Sequence, residues 1–509
     1  MEHILGLAPE HKQLQTSRIR TIADAFPMTL YGELAAEVAG MIENGVLRPG
    51  EKIPSVRAMC SRRKLSQSTV LQAYHQLEDR GLIEARPRSG YVVSAWWQDM
   101  PKEPAVSRSP RAATTVEVSD LVFDILDATR NRALVPLGSA FPSPLLFPLP
   151  RLAQLLGGVA RRLDPWATVT DLPPGSFELR RQIARRYLMT GVQVPVEDIV
   201  ITSGAMEALN LCLQAVTQPG DIVAVESPAF YGTLQALERR GLRALEVPTH
   251  PRDGVELDSL ERMLHKHEIK ACWFMSNFQN PLGGSMPEEN RRRLVALLAK
   301  RGIPLIEDDV YSELYFGGEP PQPAKAHDRA GLVLHCGSFS KCLAPGYRIG
   351  WAAPGRHARQ VARLKFTASI STTVPAQEAI ARYLSEGSYE YHLRRLRHAL
   401  QTQQNQMLQA IARHFPAQTR VSRPRGGYFL WLELPPAVDA LELNRQAAAH
   451  GISIAPGPMF SAKRQFANCV RLNYGHPWTQ QIEDAVATLG RLAAAMCDAT
   501  AARRNSPAD

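Results

Sequence analysis

Lys341 sits among groups that an aldehyde cofactor carrying a phosphate would need. The stretch Gly337-Ser338-Phe339-Ser340-Lys341-Cys342-Leu343-Ala344-Pro345-Gly346-Tyr347-Arg348-Ile349-Gly350-Trp351 sets the lysine beside small hydroxyls and places an arginine seven residues further on. A lysine amine forms a Schiff base with an aldehyde such as pyridoxal phosphate. Ser338 and Arg348 can hold the phosphate through a hydroxyl and a charge-assisted pair. The same stretch is compatible with a loop that merely exposes a lysine, because Ser-x-Ser-Lys is a short signal. The partners must come from elsewhere in the chain.

They come from the ends of strand-like runs. Ile199-Val200-Ile201-Thr202 feeds Ser203-Gly204-Ala205-Met206 and a helical pattern, and a strand entering a helix through a glycine turn aims unpaired N–H groups at an anion. Its spacing is that of neither a dinucleotide fingerprint nor a P-loop. A phosphate on Gly204, Ala205 and Met206 is the expectation. Ile222-Val223-Ala224-Val225 leads to Phe230, which can stack on a flat ring. Another run leads to Asn280-Pro281-Leu282-Gly283, and Ile303-Pro304-Leu305-Ile306 leads to Glu307-Asp308-Asp309-Val310-Tyr311. A carboxylate is needed to keep the pyridine nitrogen protonated, and Asp308 is the candidate. Asn280 and Tyr311 can donate to the ring hydroxyl. Ligands of open α/β sheets sit at the carboxyl ends of the strands.

Asn-Pro-x-Gly, Asp-x-x-Tyr, and Ser-x-Ser-Lys followed by Arg-x-Gly, in that order, resemble the fold-type-I aminotransferases over residues 135–494. Pro424-Arg425-Gly426-Gly427-Tyr428-Phe429-Leu430-Trp431-Leu432 and Val470-Arg471-Leu472-Asn473-Tyr474 resemble that family's smaller C-terminal domain. The resemblance implies an α/β fold with large and small domains, an internal aldimine on Lys341, and a catalytic set of Lys341, Asp308 and Tyr311. It makes Arg471 the bidentate anchor for a substrate or effector carboxylate, and it implies a homodimer. Phe230 stands where the family often has tyrosine.

Ahead of this region lies a different pattern. Leu30, Leu34, Val38 and Ile42 recur at helical spacing up to Asn44-Gly45. Ser55 can cap a second short helix, and Ser66 a third whose buried stripe is Val70, Tyr74 and Leu77. The opposite face of the third helix carries Gln67, Ser68, Gln72 and His75, groups that can reach bases or phosphates. Two short strand-like runs follow, joined by Arg86-Pro87-Arg88-Ser89-Gly90 as a basic hairpin tip. This order predicts a winged helix-turn-helix with Arg86 and Arg88 on the wing. Residues 45–57, 66–77 and 86–93 resemble the GntR family of bacterial repressors. The resemblance implies that Arg57, Ser66, Gln67, Ser68, Thr69 and Gly90 touch double-stranded DNA. Gln67 departs from the arginine common there, so the operator sequence does not carry over.

Together the two resemblances point to the MocR subfamily of GntR-type transcriptional regulators. The expected organisation is an arm (residues 1–27), a winged helix-turn-helix (28–95), a Pro-, Ser- and Arg-rich linker (96–132), an aminotransferase-like domain (133–495) and a flexible tail (496–509). Val118, Leu121, Val122, Ile125 and Leu126 predict a packing helix within the linker.

Bulk composition agrees with this division. At 509 residues the chain exceeds one ordinary domain, and 45% apolar with 21% charged content suits buried cores. No apolar run approaches the roughly 20 residues of a membrane span, and nothing reads as a signal peptide, so a cytoplasmic protein is expected. Seven scattered cysteines without a Cys-x-x-Cys pair predict reduced thiols, and His265 and His267 are spaced wrongly for a metal on one helix face. A formal charge of +10 permits a polyanionic partner.

Two functions remain open at this stage. One is a DNA-binding regulator that senses an amino acid, an amine or pyridoxal phosphate itself. The other is a working aminotransferase with an accessory DNA-binding domain.

Overall fold

The first helix, α1 (Leu30–Glu43), starts where Thr29 Oγ1 accepts the Gly32 N–H at 3.2 Å. Ser55 caps α2 (Val56–Arg63) in the same way through the Ala58 N–H. Ser66 does so for α3 (Gln67–Asp79), its Oγ accepting the Thr69 N–H at 3.1 Å. Such caps satisfy donors that have no partner inside the helix. Strands β1 (Ile83–Arg86) and β2 (Gly90–Val93) pair antiparallel with Arg86 opposite Gly90. The core holds Leu34, Val38, Ile42, Val70, Tyr74 and Leu77. Leu30, expected in the same stripe, is 64% exposed, because the Cβ of a first helical residue leans past the packed turns.

The computed structural model describes residues 29–79, 81–86, 90–94, 100–109, 112–128, 131–317 and 319–505. The chain divides into two units, Met1–Ala95 and Trp96–Asp509. The expected arm and the wing residue Arg88 lie outside the described residues.

The second unit begins with β3 (Thr114–Thr115) and α4 (Ser119–Ala128). Helices α5 (Leu149–Ala160), α6 (Ala167–Thr170) and α7 (Phe177–Met189) precede β4 (Val200–Thr202) and α8 (Ala205–Val216). Strand and helix then alternate through β5 (Ile222–Ser227), α9 (Tyr231–Arg239), β6 (Arg243–His250), β7 (Gly254–Val255), α10 (Leu257–Lys266), β8 (Ile269–Phe274), α11 (Glu288–Arg301) and β9 (Leu305–Asp308). After β10 (Val333–Ser338) and β11 (Gly350–Ala353) come α12 (Ala358–Ser369), α13 (Val374–Ser385) and α14 (Ser388–His414). The smaller domain has β12 (Arg420–Val421), β13 (Phe429–Glu433), α15 (Ala440–Ala449), β14 (Ala455–Pro456), β15 (Cys469–Asn473) and α16 (Gln480–Asn505).

Among the described residues the large sheet runs β3-β6-β5-β8-β9-β10-β11-β4, with β7 attached to β6. Its centre, β6 to β10, is parallel, while β3, β7, β11 and β4 pair antiparallel. Parallel strands are covered on both faces. That is why β5 is buried along its whole length despite ending in Glu226 and Ser227. The small sheet, β12-β13-β15-β14, is antiparallel. No helix among the described residues is long and apolar enough to cross a membrane.

Residues 100–109 and 112–128 differ from the expected linker. The Lys102 carbonyl accepts the Val421 N–H at 2.8 Å, extending the edge of the small sheet, and Arg423 donates to the Pro101 carbonyl. Ser107 donates to the Ser227 carbonyl and accepts the Thr249 N–H. Pro and Ser keep the chain extended, and extended chain finds partners at exposed strand edges. The packing helix is α4, with Val118, Val122 and Ile125 buried and its first N–H groups received by Glu238. The tail also differs, since α16 continues to Asn505 with Leu492, Met496 and Cys497 packed on the core.

Candidate functional site

The carboxyl ends of β4, β5, β8, β9 and β10 supply the site. At the end of β4 the chain turns through Gly204, whose φ of +86° a side chain rarely adopts, and enters α8 with no side-chain cap among the described residues. A Cβ on Gly204 would lie 2.4 Å from Arg348 Nη2. The turn therefore lets backbone and guanidinium converge. The Ala205 and Met206 amides open α8, and with the positive end of the helix dipole such a start can cradle an anion. Arg348 Nη1 donates to Ser340 Oγ at 3.2 Å, and Ser340 Oγ lies 2.9 Å from Ser338 Oγ. The predicted cup of Gly204, Ala205, Met206, Ser338 and Arg348 is thus one cluster. It also includes Ser340, a hydroxyl the motif displayed but to which no role was assigned.

Asp308 closes β9 as a buried carboxylate whose Oδ1 has no hydrogen-bond partner among the described residues. Burial, then the charge of Asp309, push its carboxyl from 3.8 up to about 7, while the Val310 N–H, Lys341 and His335 pull the other way. Leaving a buried acceptor unmet costs about 1–3 kcal/mol. The atom is available to a donor from a ligand.

Lys341 follows β10. Burial, assisted by the cations of Arg471 and Arg348 and opposed by Asp308, lowers its amine from 10.5 to about 7. A desolvated amine of this kind is a nucleophile near neutral pH. Its Nζ donates to the Ala140 carbonyl at 2.8 Å and lies 3.5 Å from the centre of the Phe141 ring.

Arg471, on β15, is fully buried and donates to Asn280 Oδ1 at 3.1 Å and to the Gly138 carbonyl at 2.7 Å. Phe429 stacks on its guanidinium at 4.1 Å. Asn280 in turn donates to the Tyr311 hydroxyl at 3.5 Å. Tyr311 packs edge-on against Tyr428 and Phe429, and burial raises its hydroxyl. Sequence reasoning assigned no role to the Gly138–Phe141 segment or to Tyr428, whose hydroxyl donates to the Ala140 carbonyl at 3.1 Å. The run Gly138-Ser139-Ala140-Phe141-Pro142 was the available signal, a small-residue turn without helical or strand period.

Phe230 is partly buried at the start of α9, 4.6 Å from the Tyr231 ring. In the N-terminal unit Arg57, Ser66, Gln67 and Ser68 are exposed around the openings of α2 and α3, and Thr69 is half-buried. Ser66 Oγ lies 2.8 Å from Ser68 Oγ and 2.7 Å from Thr69 Oγ1, so these hydroxyls are already partly engaged. Arg86 pairs with Glu84 at 2.6 Å, and Gly90 has φ +83°.

The family pattern described as "Bacterial regulatory proteins, gntR family" matches residues 30–93, and that described as "Aminotransferase class I and II" matches residues 168–489. The chain is 48% identical over 465 residues to the HTH-type transcriptional regulator YdcR of Escherichia coli (strain K12), covering 91% of this chain and 99% of YdcR. It is 39% identical to YjiR of the same organism, covering 91% and 98%. Among solved structures it is similar to LysN, the alpha-aminoadipate aminotransferase of Thermus thermophilus, complexed with N-(5'-phosphopyridoxyl)-L-leucine. There the TM-score is 0.69 at 30% identity, covering 75% of this chain and 96% of that one.

Proposed function

The chain belongs to the MocR type of HTH-type transcriptional regulators, a gntR-family head joined to an aminotransferase class I and II domain, and on that footing we propose that it couples DNA binding to pyridoxal 5'-phosphate held as an internal aldimine on Lys341. Pyridoxal 5'-phosphate is the cofactor that membership implies. When bound, it supplies an aldehyde for amines and an electron-accepting ring. Asp308 would take the ring nitrogen, Asn280 and Tyr311 the ring hydroxyl, and Phe230 one ring face. Gly204, Ala205, Met206, Ser338 and Arg348 would take the phosphate. The observation that carries this reading is the buried Asp308 Oδ1, unpartnered among the described residues, at the same strand ends as Lys341, whose amine burial lowers.

The effector on this reading is an amino acid, an amine or pyridoxal phosphate. Arg471 would hold the carboxylate of an amino acid after exchanging its bond to the Gly138 carbonyl. Arg57, Ser66, Gln67, Ser68, Thr69, Arg86, Arg88 and Gly90 would face double-stranded DNA in the cytoplasm. The exposed side chains of Trp166, Val169, Leu172 and Phe177, within twelve residues of one another in the chain, support a homodimer, since exposed apolar surface favours a partner.

The test is retardation of the protein's own upstream DNA at low salt, with Lys341→Ala as comparison. Retardation by both proteins, with the yellow cofactor band lost only in the variant, is the expected result. Failure of the wild-type protein to retard that DNA would remove the regulatory reading. A working aminotransferase is the second reading, favoured by the presence of Lys341, Asp308, Tyr311 and Arg471 in one site. Conversion of the cofactor to its pyridoxamine form on adding amino acids would support it.

A further inference from the structure

Three consecutive acids, Glu307 and Asp308 at the end of β9 and Asp309 just after it, meet here, and the fold treats the middle one differently. Glu307 accepts from Ser276 Oγ and from the N–H groups of Ala324 at 2.6 Å and Lys325 at 3.0 Å. Asp309 accepts from Asn277 Nδ2 at 2.9 Å on one oxygen and lies 3.0 Å from His335 Nε2 on the other. Asp308 alone of the three keeps an oxygen unpartnered among the described residues. The ladder continues through the Asp309 N–H to the Cys336 carbonyl at 2.9 Å. Side chains therefore still alternate, which puts Glu307, Asp309 and His335 on the face opposite Asp308.

Behind Asp309 runs a buried chain of polar groups. His335 Nδ1 is 2.7 Å from the Tyr187 hydroxyl, and Trp351 Nε1 donates to that hydroxyl at 2.9 Å. One assignment satisfies every member. Trp351 donates to Tyr187, Tyr187 to His335 Nδ1, and His335 through Nε2 to Asp309. On the other side Arg291 holds the Asn277 Oδ1 at 2.9 Å, which turns the Asn277 amide toward Asp309.

We infer that the Tyr187–His335–Asp309 chain is a positioning device for Asp308: it fixes a balanced negative charge directly behind the carboxylate reserved for the cofactor's ring nitrogen, and so sets how firmly Asp308 keeps its own charge. The inference rests on Asp308 being the ring-nitrogen partner. Of the other ionisable groups near Asp308, burial pushes up Glu226 from β5, Cys336 from β10 and Tyr311. Asp309 behind, which raises Asp308, and Lys341 on the cofactor side with His335 behind, which lower it, are the charges that act on it. Sequence order could not show this, because His335 and Tyr187 come from a different strand and a distant helix.

The full-length protein, loaded with pyridoxal phosphate, tests the inference through the pH midpoint of the cofactor's visible absorbance and its dissociation constant. In His335→Leu, Asn277 still donates to Asp309, but that carboxylate has one partner fewer to balance it. Asp308 then holds its own charge less firmly, and the ring nitrogen loses its proton partner. A ring without that proton withdraws less charge from the imine, so the midpoint rises by about one pH unit. The cofactor is held about tenfold more weakly. His335→Gln keeps a donor for Asp309 and returns both values to near wild type, and Tyr187→Phe gives a smaller rise in the same direction. If His335→Leu does not fold, Tyr187→Phe decides, since its ring packing is kept. An unchanged midpoint in the folded variants, whatever their melting temperatures, overturns the inference. Wild-type protein that shows no cofactor absorbance at all defeats the proposed function instead.

Discussion

Replacing Asp308 with asparagine should weaken the cofactor and strengthen the cofactor-free fold, and both arms follow from one buried carboxyl. An ionised carboxylate opposite a protonated ring nitrogen contributes about 1.5–3 kcal/mol as a hydrogen bond to a charged group. Its loss corresponds to roughly 10- to 100-fold weaker binding. Without cofactor the sign reverses. Burial first, and Asp309 second, raise this carboxyl from 3.8 to about 7. A raised acid favours the folded state fully only below its unfolded value, and that stability is lost as pH rises toward the folded value. At ~1.4 kcal/mol per pH unit the wild-type fold is penalised by about 4 kcal/mol at pH 8, and by far less at pH 5. Asparagine does not titrate. Denaturant unfolding of cofactor-free protein should therefore show the stability advantage of Asp308→Asn widening by about 2–3 kcal/mol between pH 5 and pH 8. An advantage that is the same at both pH values, or cofactor binding equal to wild type, would refute the assignment.

Gly204→Ala should reduce phosphate recognition, because its Cβ would meet Arg348 Nη2 at 2.4 Å and a φ of +86° strains any side chain by about 1–3 kcal/mol. The preference for pyridoxal phosphate over pyridoxal, measured by absorbance titration, should shrink by about tenfold or more. Arg471→Leu removes a cation that helps hold the Lys341 amine near 7. The pH at which cofactor attachment becomes rapid should move upward, and α-amino acids should lose their spectral effect while amines lacking a carboxylate keep theirs. Arg57→Ala should weaken DNA binding evenly across sequences and reduce the salt slope by about one, whereas Gln67→Ala should change sequence preference. Gel retardation over a salt series and a set of operator variants separates the two. Leu77→Ala in the fully buried core of the N-terminal unit should destabilise that unit by about 2–5 kcal/mol, leaving the cofactor absorbance intact.

Much of the fold was legible because its signals are local. Ser55 and Ser66 announce α2 and α3 by a hydroxyl placed three residues before an N–H that lacks a partner. The stripe Val70, Tyr74 and Leu77 follows helical period and is buried. The alternating strand and helix patterns from β4 to β10 carry their apolar runs openly, since strands covered on both faces admit few polar residues. Less legible were segments whose structure depends on a distant edge. Residues 100–109 read as linker by composition, yet Lys102 pairs with Val421 and Ser107 with Ser227. The end of the chain read as a tail, although Leu489, Leu492, Met496 and Cys497 kept a helical period that could have been followed further.

By itself the sequence determined which groups are available for chemistry and where each enters the sheet, because a turn or helix start is encoded within a few residues of the group it presents. Lys341 after β10, Asp308 at the end of β9 and Gly204 before α8 are of that kind. What only the tertiary structure decided is the state of those groups. Lys341 meets the Ala140 carbonyl and Arg471 meets that of Gly138 across 201 and 333 positions of chain. Asp308 differs from the acids on either side through donors that come from the turn after β8, the segment between β9 and β10, and β10 itself. Charge and proton affinity depend on what surrounds a group in space, and burial with its neighbouring charges is assembled only when the strands come together.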